Sequence, residues 1–419
     1  MEPVHSSLSS PVAIPNTLSS APGEAIRPRA AGLPHIRELD GIRGVAALAV
    51  LFHHVCFVSI NPQNWGPGIR ALYHVCQYGN AGVDLFFALS GFLITSLLIQ
   101  DRASSTYYRS FYWKRVLRIL PLYVLCLVVV YLFVPQSHAY VLLAALFVAN
   151  FAQIFHVTST GPFWTLAIEE QFYLIWPTVV RRRSVPQLIR WSIGIGISAV
   201  VLRIIVAAFG HHNYYFTFLH CDGLAIGALI ACLYSQRTGK EDRTGGIRTG
   251  WIATGFLTGA LLFGVVFLPY SSERELAFIS AAGQTGISLL AGSIIAFAIV
   301  HTGSRYLAVF RSRLFTFFGL ISYAVYMIHT YVLMAYEHLN GPLPAGDLTA
   351  YAIRFFVVLA VTVGLSLLTY YTIERPAMSL RKYVLAPSSR GSSSREKETQ
   401  KIMDAPSQGN ESINANEPI

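Results

Sequence analysis

Two adjacent histidines, His53 and His54, sit in an apolar run that also holds Arg43. Eleven residues separate Arg43 from His54. At about 100° per residue, eleven steps of a helix return to within about 20° of the same face, about 16 Å further along the axis. His53 points about 80° away from that face. One helix would thus carry a guanidinium near the cytoplasmic surface of a membrane and an imidazole deep toward the other side. Imidazole exchanges protons near neutral pH, so it can deprotonate a hydroxyl or act as a nucleophile. The structural alternative is a snorkelling arginine and a histidine hydrogen-bonded within a bundle.

Further polar residues fall where apolar ones are expected. The stretch Phe163-Trp164-Thr165-Leu166-Ala167-Ile168-Glu169-Glu170-Gln171-Phe172-Tyr173 places two carboxylates in the first two turns of a segment. They could simply cap it, with Trp164 at the membrane interface, or orient an imidazole and take up its proton. Asp222 opens another segment, two residues after His220, and His329 lies in the outer half of a third. With His54, Trp164 and Glu169 these could converge on one outward-facing polar site. Arg115 and Arg118 are three apart, on one helical face. Paired guanidiniums suit phosphates, and anchoring on the cytoplasmic side is their plainer reading. No GxSxG elbow, HExxH, P-loop or GxGxxG junction is present. The five cysteines form no CxxC pair and are odd in number, so neither a metal site nor a disulfide framework is expected; a Cys56–Cys76 bond is the one pairing considered.

The elements that must hold these groups are membrane helices. Of 419 residues, 53% are hydrophobic and 12% charged, with a mean hydropathy of +0.49. A soluble domain carries roughly 25% charged residues. That balance excludes a soluble enzyme, a disordered protein and a nucleic-acid-binding module. The apolar runs are continuous rather than alternating, which excludes a transmembrane β-barrel. The expectation is an all-α polytopic membrane protein. The net charge of +10 reads as a topology signal.

Eleven apolar segments lie near 39–59, 80–100, 119–135, 139–156, 165–180, 190–209, 218–235, 250–269, 279–300, 314–337 and 350–373. Basic clusters place the loops around Arg109–Arg118, Arg181–Arg183, Arg237–Arg248 and Arg305–Arg313 inside, and the loop 338–349, free of Lys and Arg, outside. An even number of crossings must separate Arg118 from Arg181. So 119–156 makes one net crossing, the remainder being re-entrant or interfacial, and Pro121 and Pro135 suit broken helices there. The count is about ten transmembrane helices in one bundle, with both termini cytoplasmic. Residues 1–35 and 385–419 read as disordered cytoplasmic tails around a membrane domain, 36–384. Gly91, and Gly223 with Gly227, allow close helix approach.

Seven motifs, in order, resemble the acyltransferase 3 family of multi-spanning membrane O-acyltransferases. They are Glu38-Leu39-Asp40-Gly41-Ile42-Arg43-Gly44 running on to His53-His54, the stretch from Val83 to Ile94, the stretch from Phe111 to Tyr123, and that from Trp164 to Pro177. Cys221 to Ala228, Ile321 to His329, and Glu374-Arg375-Pro376 complete the set. The resemblance implies a ten-helix core and an acyl-CoA donor, usually acetyl-CoA, entering from the cytoplasm as a co-substrate, with no permanently bound cofactor. It implies a hydroxyl acceptor on a sugar or glycan, membrane lipid as surroundings, no nucleic-acid partner, and a bacterial cytoplasmic (inner) membrane location. The oligomeric state stays open. By resemblance His54 is the essential first-helix histidine, Arg43 its partner, Arg115 and Arg118 the donor-handling pair, and Trp164 and Glu169 the marks of the Trp164-to-Pro177 motif. In the implied mechanism Glu169 orients or proton-couples His54, and Trp164 and Asp222 complete the catalytic set. His53 and His329 join Arg43, Arg115 and Arg118 as substrate-binding residues. Where the family often has Arg two residues before the aspartate, this chain has His220. The chain is expected to be too short for the extracytoplasmic SGNH hydrolase-like domain of some relatives. Acylation of a lipophilic metabolite and export of an acyl or polysaccharide unit without chemistry are the competing functions.

Overall fold

The computed structural model describes residues 35–57, 66, 73, 77–211, 215–237, 244–269, 271–341, 343 and 347–384. The expected tails, apart from His35, lie outside the described residues, as do Cys76, Lys240 and Arg243. Within those residues every regular element is helical. Twelve helices position the site: α1 (Arg37–Phe57), α2 (Gly82–Asp101), α3 (Tyr107–Phe133), α4 (His138–Ala145), α5 (Phe163–Arg182), α6 (Val185–Ala208), α7 (Asp222–Tyr234), α8 (Thr249–Gly264), α9 (Glu273–Val300), α10 (Arg313–Leu320), α11 (Ser322–Asn340) and α12 (Leu348–Thr369).

Helices of this composition satisfy their backbone groups internally, so what sorts them is side-chain burial. The faces of α6, α8 and α12 show large apolar side chains outward, among them Ile197, Leu261 and Phe356. The centre is made by α1, α2, α7 and α11, where Ala46, Val50, Ala88, Leu89, Ala228 and Met327 are fully buried. Helix α2 packs along α7 at close range. A Cβ on Gly91 would fall on the Leu224 carbonyl, and one on Gly227 on the Ala88 carbonyl. Side-chain-free approach of this kind is how small residues bind membrane helices together. At the start of α1, Glu38 accepts hydrogen bonds from the Gly303 amide (2.8 Å) and from Arg311 (2.7 Å), which ties it to the turn before α10.

The expected count of about ten crossings is not reached by length and hydropathy. Among the described residues, seven helices are long and apolar enough to cross a membrane, and an eighth arises if α10 and α11, bent by 75° at their junction, form one span. The shortfall has a physical cause. Helix α5 has 20 residues, but it carries Glu169, Glu170, Arg181 and Arg182. Helix α7 has only 13 residues, or about 20 Å of rise. Residues 119–156 hold one long helix, the end of α3, followed by the eight-residue α4, whose rise of about 12 Å is far short of a bilayer core. Contrary to the expected break, α3 runs through Pro121 and ends only before Pro135.

Candidate functional site

Helices α1 and α11 bring two imidazoles together. The Nδ1 of His54 lies 2.9 Å from the Val50 carbonyl, one turn back on α1. The Nδ1 of His329 lies 3.0 Å from the Val325 carbonyl and 2.8 Å from that of Tyr326. A carbonyl oxygen only accepts, so both Nδ1 atoms carry hydrogen and both Nε2 atoms are bare in the neutral rings. The bare Nε2 of His329 faces the Nδ1–H of His54 at 3.4 Å and the Thr330 hydroxyl at 3.3 Å. The two rings meet edge to face at 5.0 Å. The Nε2 of His54 is thereby the nitrogen left to accept a proton.

Both histidines line a cavity of about 1220 Å³, together with His53, Trp164, Asp84, His220 and Gln284. Trp164 is held at its wall by the start of α5. There Thr165 donates to the Pro162 carbonyl (2.8 Å) and shares a 2.9 Å hydrogen bond with the Tyr326 hydroxyl of α11. Further along α5, Trp176 donates to Thr95 of α2 (2.8 Å), and the hydroxyl of Tyr107 from α3 donates to the Pro177 carbonyl (2.9 Å).

The opposite end of the bundle holds the charges. Arg43 of α1 is an electrostatic neighbour of Arg118, Asp40, Arg115 and Glu169. Glu169 is a hydrogen-bonding neighbour of the Ser90 and Tyr173 hydroxyls, which also contact each other. The Arg115 guanidinium lies over the Tyr173 ring at 5.1 Å and the Phe111 ring at 5.6 Å. Glu374, in a π-helical turn at Tyr370–Glu374, is buried beside Arg118. Helices α1 and α5 each reach both regions: α1 carries Arg43 and His54, and α5 carries Glu169 and Trp164.

The structure brings His54, Trp164, His329 and His220 together at the cavity, with His53 beside them, and Arg43, Arg115 and Arg118 at the other end. Two residues are placed differently. Glu169 sits with Ser90, Tyr173 and the arginines; the described side-chain partner of His54 is His329. Asp222 lies 2.6 Å from Arg203 in an ion pair that is 0% exposed on the arginine side and 3% on the aspartate side, away from the cavity lining. Arg203 also donates to the Leu219 carbonyl (2.8 Å) and to Thr285 (3.0 Å). A fully buried guanidinium demands a carboxylate beside it, and this demand claims Asp222. Sequence reasoning passed over Asp84, Gln284 and Arg203. Each is a lone polar group in an apolar run, and that rarity was the signal available. Among the described residues no group of His, Cys, Asp and Glu is placed to hold a metal ion.

A family model described as an acyltransferase domain, that of the acyltransferase 3 family, matches residues 36–371. The chain is 27% identical over 374 residues to a Staphylococcus aureus (strain COL) protein named as an O-acetyltransferase, covering 82% of this chain and 57% of that protein. It is 27% identical to the peptidoglycan O-acetyltransferase OatA of Listeria monocytogenes, covering 82% and 56%. A Bacillus subtilis protein named as a peptidoglycan O-acetyltransferase is 29% identical, with 82% and 55% covered. The chain spans about half the length of these curated relatives. No solved structure matches it. With the model covering most of its length, and the motif residues gathered at the two ends of one helix bundle, the chain belongs to the acyltransferase 3 family.

Proposed function

We propose that the protein is a membrane O-acyltransferase that moves an acyl group, acetyl in the first instance, from acyl-CoA on the cytoplasmic side to a hydroxyl of a carbohydrate or glycan. The reading includes ten crossings, with α5 and α7 among them, both termini cytoplasmic, in a bacterial cytoplasmic membrane. The observation that carries it is the arrangement of α1. An imidazole with a bare Nε2 lines a large cavity, and a guanidinium in a cluster of three stands three turns away. Arg43, Arg115 and Arg118 suit the phosphates of the donor, and the pantetheine arm would reach along α1 toward His54.

In direct transfer, Nε2 of His54 takes the proton of the acceptor hydroxyl as its oxygen attacks the thioester carbonyl carbon. The carbon–sulfur bond breaks, and the departing thiolate takes the proton back from the imidazolium. An acyl-histidine route uses the same nitrogen as nucleophile. The relatives' names favour a glycan acceptor.

The test is label transfer from radioactive acetyl-CoA in membranes carrying wild type or His54→Ala, supplied with glycan. Label in an alkali-labile ester from wild type alone supports the reading. Equal label from both removes His54 from the chemistry. No labelled ester from wild type sinks acetyl transfer and favours export without chemistry.

A further inference from the structure

The lining of the cavity that holds the two imidazoles also carries a polar group that the acyl-transfer step leaves unused. Asp84, in the first turn of α2, accepts a 2.7 Å hydrogen bond from Gln284 of α9. The Nε2 of His220 lies 3.5 Å from the same carboxylate oxygen and 3.5 Å from Gln284. These three residues come from α2, α9 and the turn before α7, and all three line the cavity. The Trp164 ring stands edge to face against His220 at 5.7 Å and against Tyr215 at 4.8 Å, so one indole borders the cluster within the same chamber.

A carboxylate in a membrane bundle is expensive, and here the local neighbours are an amide and an imidazole rather than an arginine. Packing does not require it. A carboxylate, an amide and an imidazole present acceptors and donors at hydrogen-bond spacing, which suits a ligand bearing several hydroxyls. An indole beside them suits the apolar C–H face of a sugar ring. A chamber of about 1220 Å³ admits more than one ring.

We propose that Asp84, with Gln284 and His220, is the acceptor-binding wall. Its carboxylate accepts a hydrogen bond from one hydroxyl of a saccharide whose ring lies on Trp164, which leaves another hydroxyl turned toward His54. This deepens the acyl-transfer reading and rests on it for the identity of the ligand. A site built around hydroxyls rejects analogues that lack them, because its own polar groups are then left unpaired.

Binding tests the wall apart from the chemistry. The probe is a soluble, radiolabelled peptidoglycan glycan fragment, equilibrated by dialysis against the full chain in detergent, with acetyl-CoA binding measured in parallel as the check on folding. The expected result is that Asp84→Asn and Gln284→Leu weaken fragment binding tenfold or more and keep acetyl-CoA binding, and that His54→Ala binds the fragment as wild type does. Two independent variants are included so that misfolding of one does not decide the matter. Wild-type affinity in both variants, or no binding of the fragment to wild type, overturns the proposal. Fragment binding without any ester product in the transfer assay would sink the acyl-transfer reading and leave the wall standing.

Discussion

The Nε2 of His329 stands 3.4 Å from the Nδ1 of His54, across the contact between α11 and α1. Two backbone carbonyls hold the His329 ring through its Nδ1–H, so its Nε2 can only accept. It therefore stabilises hydrogen on Nδ1 of His54 and leaves Nε2 as the atom of that ring able to accept a proton. A second group that fixes the tautomer of a catalytic imidazole is a recurrent device.

This relationship predicts a graded series. His54→Ala should lower ester formation by about 10²- to 10⁴-fold, the usual worth of a general base. His329→Leu removes the acceptor but leaves His54, so kcat should fall less than in His54→Ala, with the KM for acetyl-CoA unchanged. His329→Gln, which can still present an acceptor oxygen, should recover part of the loss. Initial rates in membranes check the series, and a wild-type rate in His329→Leu would remove His329 from the mechanism.

The arginine cluster predicts the opposite split. Arg115→Ala and Arg118→Ala should raise the KM for acetyl-CoA well above their effect on kcat. Lys at either position should restore only part of the affinity, since an ammonium gives charge without the planar fork. Loss of kcat at unchanged KM would place these arginines outside donor binding.

Part of this site was legible in the sequence because it lies on single helices. The eleven-residue spacing of Arg43 and His54 is read from helical geometry alone, and the Arg115–Arg118 face likewise. The same holds for packing: Gly91 and Gly227 were readable as close-approach residues, and both meet a backbone carbonyl of the facing helix. What was not legible is pairing between distant segments. His329 is 275 residues from His54, Gln284 is 200 from Asp84, and no periodicity relates them. Glu169 was read as a partner of His54 because a carboxylate can orient an imidazole or take up its proton. The local demand of Arg115 and Arg43 for a carboxylate places it elsewhere. The helix count diverged for a related reason. Glu169 and Glu170 lower the hydropathy of α5, so this helix, which carries both Trp164 and Glu169, is not among the seven long apolar ones.

Close approach between α2 and α7 makes a prediction about folding rather than chemistry. Gly227→Val would drive a branched side chain into the Ala88 carbonyl and the Phe92 amide, both backbone atoms that cannot swing away. The yield of folded protein should fall steeply, as judged by a monodisperse peak in fluorescence-detected size exclusion. Gly250→Val, at a position where an added Cβ meets nothing within 4 Å, should keep that peak. Equal peaks for the two variants would mean that the α2–α7 contact tolerates separation.

The Arg203–Asp222 pair makes the sharpest distinction between a structural and a chemical role. Both side chains are sealed from solvent, and the pair ties α6 to the turn that presents His220, through the Leu219 carbonyl. Removing one partner of a buried pair leaves an uncompensated charge, a cost of about 3–5 kcal/mol. Asp222→Ala should therefore lower the thermal midpoint of the detergent-solubilised protein markedly. Replacing both partners by apolar residues, Arg203→Met with Asp222→Leu, should recover much of that loss, because hydrophobic pairs of similar volume often equal or exceed a buried ion pair. The recovered double variant then reads out chemistry separately. If Asp222 acts only by holding its turn, the stable double variant should retain ester formation within about tenfold, the scale of a modest displacement of a positioned group. Recovery of stability without any ester formation would return Asp222 to the catalytic set.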